Sequence, residues 1–406
     1  MTEAVIVSVA RSPIGRAYKG SLASMRADDL AAQMVRAALD QVPALDAATI
    51  DDLMMGCAQP AGEQGYNIAR IVALQLGLDT VPGTTVQRYC SSSLQTTRMA
   101  FHAIKSGEGE AFISAGVETV SRFGSGKSDG MPDTKNPSYA AAMQRTLDRA
   151  AAAGSTWSDP REAGELPDIY IAMGETAENV AQVRGVSRAA QDEWAVISQN
   201  RAEAAAARGF WVQDITPVTL ADGTRVATDD GPRAGVTLEK VSSLQPVFRE
   251  GGTVTAANCC PVNDGAAALV IMSDRKAKDL GLTPLARIVS TGVSALSPEI
   301  MGLGPVQAVQ RALANAKMSI GDIDIMELNE AFAAQVLPSI DDIGMSADRV
   351  NVNGGAIALG HPFGMTGARM TATAIHALQE RDEQFALETM CVAGGQGMAM
   401  VLERLS

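Results

Sequence analysis

The chain has 406 residues, 46% of them hydrophobic and 19% charged, enough apolar material for roughly two or three packed units. A formal net charge of -13 argues against nucleic acid or an anionic membrane as the main partner, and leaves small-molecule chemistry with room for a local basic patch that receives a phosphorylated ligand. The opening MTEAVIVSVARSPIGR has no basic leader or cleavage site, no apolar run reaches about 18 residues, and the five cysteines have neither zinc nor disulfide spacing, so a cytoplasmic protein with reduced thiols and no metal is expected.

Along the chain, AVIVSVAR is a short β-branched strand, and ADDLAAQMVRAALD carries apolar residues at helical spacing over about 28–41. IDDLMMGCAQ then predicts a strand entering a loop, YNIARIVALQLGL a helix, TTVQRY a strand, SSSLQTTRMAFHAIKSG a helix and EAFISAGVE a strand. This α/β alternation holds to about residue 120. From about 121 to 250 it breaks: SRFGSGKSDGMPDTKNPS is rich in Gly, Ser, Pro and charge, and SQNRAEAAAARGF is a helix without strand neighbours, which predicts an inserted loop domain. Alternation resumes through AAALVIMSD, ARIVSTGVS, PVQAVQRALANAKM, IDIMELNEAFAAQVL, GARMTATAIHALQE and ALETMCVAGG.

The two ends of the chain repeat each other. FHAIKSGEGEAFISAGV at 101–117 matches IHALQERDEQFALETMC at 375–391 in phasing, and RAALDQ with IDDLMMG echoes QRALAN with IDIMELN. On that offset of 274 residues His102 falls on His376 and Cys90 on Gly364. A duplicated α/β unit would place equivalent loops around a shared pseudo-twofold axis, where they meet at one centre.

Three residues in glycine- or serine-rich turns stand out. Cys90 in VQRYCSSSLQ follows a strand and precedes a helix, where peptide N–H groups and the helix dipole favour a thiolate and hold a developing oxyanion. A free cysteine is often core packing, but this setting favours a nucleophile. His361 in NGGAIALGHPFG is one of only three histidines and is presented at a loop tip, where an imidazole can take and return the thiol proton. Cys391 precedes VAGGQG, whose backbone lets a substrate lie close. His102 and His376 lie on helices at matching repeat positions and are read as structural; Cys57 has the weaker case among the thiols.

VQRYCSSSLQ, AGVETVSR, MGETAENVA, TVTAANCCPVNDGAAA, ELNEAFA, NVNGGAIALGHPFGMTG and CVAGGQGMAM, in this order and approximate spacing, resemble the thiolase family of acyl-CoA C-acyltransferases over essentially the full length. The resemblance implies an α/β fold of two similar βαβαβαββ halves in a five-layered α/β/α/β/α core. Its halves would be 1–120 with 250–276, and 277–406; a CoA-binding loop domain would span 121–249. It implies Cys90 as the acylated nucleophile, His361 as its base and a binder of the thioester oxygen, and Cys391 as the second acid/base. Asn329 would order a water beside His361 in one oxyanion hole, and the backbone N–H groups of Cys90 and Ala393 would form another; Glu330 would mainly orient its loop. CoA and acyl-CoA would be substrates with no cofactor, contacted by Arg233, Phe248, Ala256 and Cys260, with Met173 and Phe332 near the acyl pocket, in a homodimer or homotetramer.

Three positions depart from the family's usual residues: Cys260 stands in place of a common serine, Ala393 of a frequent glycine, and Ala172 of the histidine of short-chain biosynthetic members. The alternatives are another condensing enzyme of the superfamily, which would not need Cys391 in this turn, and a non-catalytic acyl-CoA carrier, which should have lost at least one of Cys90, Asn329, His361 and Cys391.

Overall fold

A computed structural model describes residues 2–125, 128–130, 133–152, 154 and 156–406. The first half runs β1 (Ala4–Arg11), α1 (Ala27–Asp40), β2 (Asp52–Gly56), α2 (Ile68–Gln75), β3 (Gly83–Val86), α3 (Ser92–Ser106) and β4 (Ala111–Thr119). The insertion contributes α4 (Ala140–Ala151), α5 (Met173–Arg184) and α6 (Arg188–Ala207) before β5 (Asn263–Ser273) returns to the sheet. The second half follows as β6 (Ala286–Ala295), α7 (Gly304–Ala316), β7 (Ile325–Leu328), α8 (Ala333–Ile343), α9 (Thr366–Arg381), β8 (Phe385–Val392) and β9 (Gln396–Arg404).

The strands lie in the order β7-β8-β9-β6-β1-β5-β4-β2-β3. The two halves are joined where β1 pairs antiparallel with β6, Val5 opposite Arg287 and Ile6 opposite Ala286. Period-two alternation divides the apolar side chains between layers. Leu269 and Ile271 of β5 enter a central core with Ile104 of α3 and Ile375 of α9, while Val270 and Met272 join Leu30 and Val35 of α1 on the outer side. Val309 of α7 packs with Leu387 and Val401 on the outer side of the second half. The layers are therefore α1 and α2, first sheet half, α3 with α9, second sheet half, and α7 with α8.

Backbone approach fixes the central layer. A Cβ at Gly367 would come within 2.3 Å of Leu94 N, so α9 and α3 touch without side chains between them. A Cβ at Gly116 would lie 2.1 Å from the Gly364 carbonyl oxygen, which seats the loop after His361 on the end of β4.

The insertion is pinned to both halves by buried charge. Arg11 of β1 donates to Asp214 at 2.7 Å and Asp229 at 2.6 Å, and Asp214 also bonds His376 of α9 at 2.9 Å. Glu299 accepts from Trp157 Nε1 at 2.7 Å and from the Asp168 N–H at 2.8 Å. Of the predicted irregular stretch 121–138, residues 126, 127, 131 and 132 lie outside the described residues. The predicted strand TTVQRY stops at Val86 because the chain turns there, Tyr89 having φ 42°. Among the described residues no helix is long and apolar enough to cross a membrane.

Candidate active site

The thiol side is built from two backbone turns. After β3, the Arg88 N–H donates to Ser92 Oγ at 2.9 Å and Ser92 Oγ donates to the Tyr89 carbonyl at 2.7 Å, closing a turn that leaves Cys90 just before α3. Burial pushes the Cys90 thiol up to about 12, against the pull of the N–H groups of Ala393 and of Cys90 itself, and the charge of Glu118 adds to the rise. The backbone donors of the turn pull toward a thiolate, as the sequence predicts, and desolvation outweighs them in the resting site. The same contact places the Ala393 N–H, from the turn after β8, at the Cys90 sulfur. Cys391, the penultimate residue of β8, is fully buried; burial raises its thiol above the ordinary range, and Cys90 nearby raises it further.

The imidazole side is built from side chains. His361 Nδ1 lies 2.7 Å from Thr366 Oγ1, whose own hydroxyl donates to the Pro362 carbonyl at 2.8 Å. Thr366 must then accept, which puts the ring proton on Nδ1 and leaves Nε2 open to a proton. Asn329 Nδ2 donates toward Nε2 at 3.3 Å, and the buried Asn329 Oδ1 has no hydrogen-bond partner among the described residues. The His361 N–H donates to Asn263 Oδ1 at 3.0 Å, and Asn263 Nδ2 donates to the Gly15 carbonyl at 3.0 Å. Burial, with the charge of Arg369 adding, holds the imidazole down at about 3, so it is neutral at physiological pH. Glu330 takes bonds from Ser198 Oγ at 2.7 Å, Asn351 Nδ2 at 2.8 Å, Trp194 Nε1 at 3.0 Å and the Ile357 N–H at 3.1 Å, an orienting arrangement for the loop it shares with Asn329.

One segment, Cys259–Val262, connects the two sides. The Cys260 N–H donates to the Ala331 carbonyl at 3.0 Å, Cys259 bridges Phe332, and Val262 bridges His361. Burial raises the Cys260 thiol, and Cys259, Cys90 and Cys391 all lie close enough to raise it further. Cys90, Cys391 and Ala393 thus lie together, and this segment runs from them to His361 and to the loop that bears Asn329.

One cavity opens at Cys90 and another at the Cys259–Val262 segment. One, of about 640 Å3, is lined by Cys90, Ala393, Met173, Tyr170, Lys135 and Phe363 among others. The other, of about 670 Å3, is lined by Arg233, Ala256, Cys259 and Cys260, with Arg16 and Lys240. None of those three cations forms an ion pair with a described residue. Arg233, Ala256 and Cys260 thus share a cavity, Met173 lies in the one that holds Cys90, and Phe248 and Phe332 line neither. These two rings meet edge to face at 6.1 Å, with Phe248 covering Gly174 at the start of α5.

Sequence reasoning passed over Glu118, Thr366 and Asn263. The Glu118 carboxylate accepts from Gln64 Nε2 at 2.7 Å, the Ala58 N–H at 2.8 Å and the Gly364 N–H at 3.0 Å, tying three loops together beneath Cys90; burial nevertheless raises it to about 7. Its signal was present in AGVETVSR, as a lone acid at the end of an otherwise uncharged strand. His102 stacks beside Phe101 at 5.0 Å and His376 pairs with Asp214, both away from this centre; Cys57 is a buried neighbour of Glu118, its thiol raised by burial.

The model described as "Thiolase, N-terminal domain" matches residues 4–275, and "Thiolase, C-terminal domain" matches residues 282–404. The chain is 45% identical to the 3-oxoadipyl-CoA/3-oxo-5,6-dehydrosuberyl-CoA thiolase of Escherichia coli (strain K12), with 100% of each chain covered. It is 42% identical to the 3-ketoacyl-CoA thiolase of Bacillus subtilis (strain 168), over 99% of this chain and 100% of that one. The crystal structure of the Bacillus anthracis acetyl-CoA acetyltransferase superimposes with a TM-score of 0.86 at 37% identity, covering 100% of this chain and 99% of that one.

Proposed function

The chain belongs to the thiolase family and is an acyltransferase acting between CoA thioesters, and on that premise we propose a ping-pong reaction through acyl-Cys90. In thiolysis, His361 Nε2 takes the Cys90 proton as sulfur attacks the 3-keto carbon. The C2–C3 bond breaks, the acyl group stays on Cys90, and Cys391 protonates the departing acetyl-CoA enolate at carbon. CoA sulfur then attacks the acyl-enzyme, its proton returning through the same acid/base groups, and an acyl-CoA two carbons shorter leaves. Condensation runs these steps backwards.

The observation that carries this reading is the pairing of Cys90 with Cys391 and the Ala393 N–H, with the Cys259–Val262 segment running from them to His361 and the Asn329 loop. His361 has its Nε2 lone pair free at neutral pH, and taking the Cys90 proton requires that substrate charge and the closed site bring the raised thiol and the lowered imidazole toward each other. The N–H groups of Cys90 and Ala393 serve the oxyanion at the attacked carbonyl. Asn329 and His361, 3.3 Å apart, serve the thioester oxygen that becomes the enolate. The cavity bearing Arg16, Arg233 and Lys240 suits the phosphates of CoA, so the Cys90 cavity is left for the acyl group.

Nothing in these steps calls for a metal or prosthetic group. A homodimer or homotetramer belongs to the same proposal by family resemblance, and five free cysteines support a cytoplasmic location. The test is CoA-dependent cleavage of a 3-ketoacyl-CoA series beginning at acetoacetyl-CoA. Cleavage is expected, with rank order defining the acyl pocket; absence of cleavage across the series would favour the carrier reading.

A further inference from the structure

Glu118 is a fully buried carboxylate that the proton transfers proposed above do not use. Among the described residues no cation forms an ion pair with it, and hydrogen-bond donors alone hold it. Its Oε2 accepts from the Ala58 N–H at 2.8 Å and the Gly364 N–H at 3.0 Å. Its Oε1 accepts from Gln64 Nε2 at 2.7 Å and the Gln59 N–H at 3.3 Å, with the Cys57 thiol at 3.9 Å. Gln64 cannot reverse its amide, because its own Oε1 accepts from the Thr119 N–H at 2.6 Å and the Thr119 hydroxyl at 3.1 Å. Every partner of the carboxylate therefore donates, and a neutral amide of the same shape would turn its NH2 group on two of those donors.

These bonds lead to both sides of the site. The Gly364 peptide lies three residues after His361 and is seated without slack: a Cβ there would meet the Val117 carbonyl oxygen at 2.3 Å and the Gly56 carbonyl oxygen at 2.7 Å. Next to it, Phe363 sets its ring edge to face against His361 at 5.1 Å and lines the Cys90 cavity. Ala58 and Gln59 line the same cavity from the loop after β2. One carboxylate thus joins the imidazole's loop, through Gly364 and Phe363, to the wall beside Cys90. The repeat offset lays Gly364 on Cys90, so the second copy of the turn docks a peptide where the first carries a thiol. The charge of Glu118 also bears on the thiols of Cys57 and Cys90 and opposes the thiolate at each.

We propose that Glu118 is a positioning residue for the acyl transfer, its carboxylate setting the His361 loop against the wall beside Cys90. The inference rests on the thiolase reading above.

The test measures cleavage of the fastest 3-ketoacyl-CoA of the series and alkylation of Cys90 by iodoacetamide, on full-length wild type, Glu118→Gln, Glu118→Asp and Phe363→Ala, with folding followed by circular dichroism. Glu118→Gln should lower kcat by at least about tenfold and leave the KM for CoA within about twofold, because Arg16, Arg233 and Lys240 are untouched. At about pH 9 it should alkylate Cys90 several-fold faster than the wild type, the opposing charge being gone, whereas Glu118→Asp should alkylate at the wild-type rate and recover part of kcat. Phe363→Ala cuts the link at its far end and leaves the four donors in place; it should lower kcat by a similar factor, and it carries the test alone where Glu118→Gln does not fold. Wild-type kcat in Glu118→Gln or in Phe363→Ala, or a Glu118→Gln whose loss lies in the KM for CoA, would overturn the proposal. A wild type that cleaves no member of the series would instead overturn the thiolase reading on which it stands.

Discussion

Helices α3 and α9 begin at equivalent places, Ser92 and Thr366, and pack against each other in the central layer, yet the turns that precede them do different chemistry. The first presents Cys90 to backbone N–H groups, from its own residue and from Ala393. The second presents His361 held by side chains, Thr366 at Nδ1 and Asn263 at the peptide N–H. Duplication brings two loops to one centre, but the side chains added to each decide where protons reside. The thiol turn keeps its proton and the imidazole turn is kept without a second one, so the resting pair is neutral and transfer from one repeat to the other awaits the substrate.

The most severe way to break that division is Cys90→Ala, which should lower turnover by at least about 10^4-fold while the fold persists, judged by circular dichroism and steady-state rates. Removing the partner turn's groups comes next. His361→Ala and Asn329→Ala should each cost about 10^2 to 10^3 in kcat, and retention of wild-type kcat in either would contradict their assignment at the thioester oxygen. Thr366→Val removes the acceptor that holds the Nδ1 tautomer and should cost on the order of tenfold in kcat with little change in KM, because it acts through His361 rather than on substrate.

The smallest effects are in pH dependence. With His361 lowered to about 3, its folded form resists protonation while the unfolded form titrates near its ordinary value; the stability contributed by neutral His361 is present above about 6.5 and is lost as pH falls toward about 3. The rate profile should accordingly show no acid limb near 6.5 that His361→Gln abolishes. Alkylation of Cys90 by iodoacetamide should keep rising past pH 9, since burial holds its thiol up to about 12; a plateau near 7 would reveal a thiolate.

Much of this comparison was legible from residues alone. The offset that sets His102 on His376 also aligns α3 with α9 and β4 with β8, because the duplicated elements kept their lengths. Less legible was α5, whose buried face carries Glu175, Glu178 and Asn179 beside Ala177, Val180 and Ala181; Glu178 accepts the N–H groups of Thr253 and Val254, so the helical period is written partly in polar groups. Strand β9 was hidden in GMAMVLER, which is buried on both faces through most of its length and therefore shows no alternation. In IDIMELNEAFAAQVL, the break at 329–332 between β7 and α8 is what carries Asn329 to His361, and hydrophobic periodicity does not mark it.

The proposed trio of Cys90, His361 and Cys391 was readable because rare residue types sat in or beside turns. Thr366 and Asn263 were not, because their importance comes from pairing with His361 across 5 and 98 residues of chain. Phe248 and Phe332, assigned to the ligand by resemblance, meet edge to face beside α5, a contact no local pattern announces.

The most direct measurement is peptide mass spectrometry of protein quenched during incubation with a 3-ketoacyl-CoA and no free CoA. The account predicts an acyl adduct on the peptide bearing Cys90, its loss on adding CoA, and its absence in Cys90→Ala. An adduct on Cys391 or Cys260 instead, or turnover by Cys90→Ala at the wild-type rate, would contradict it.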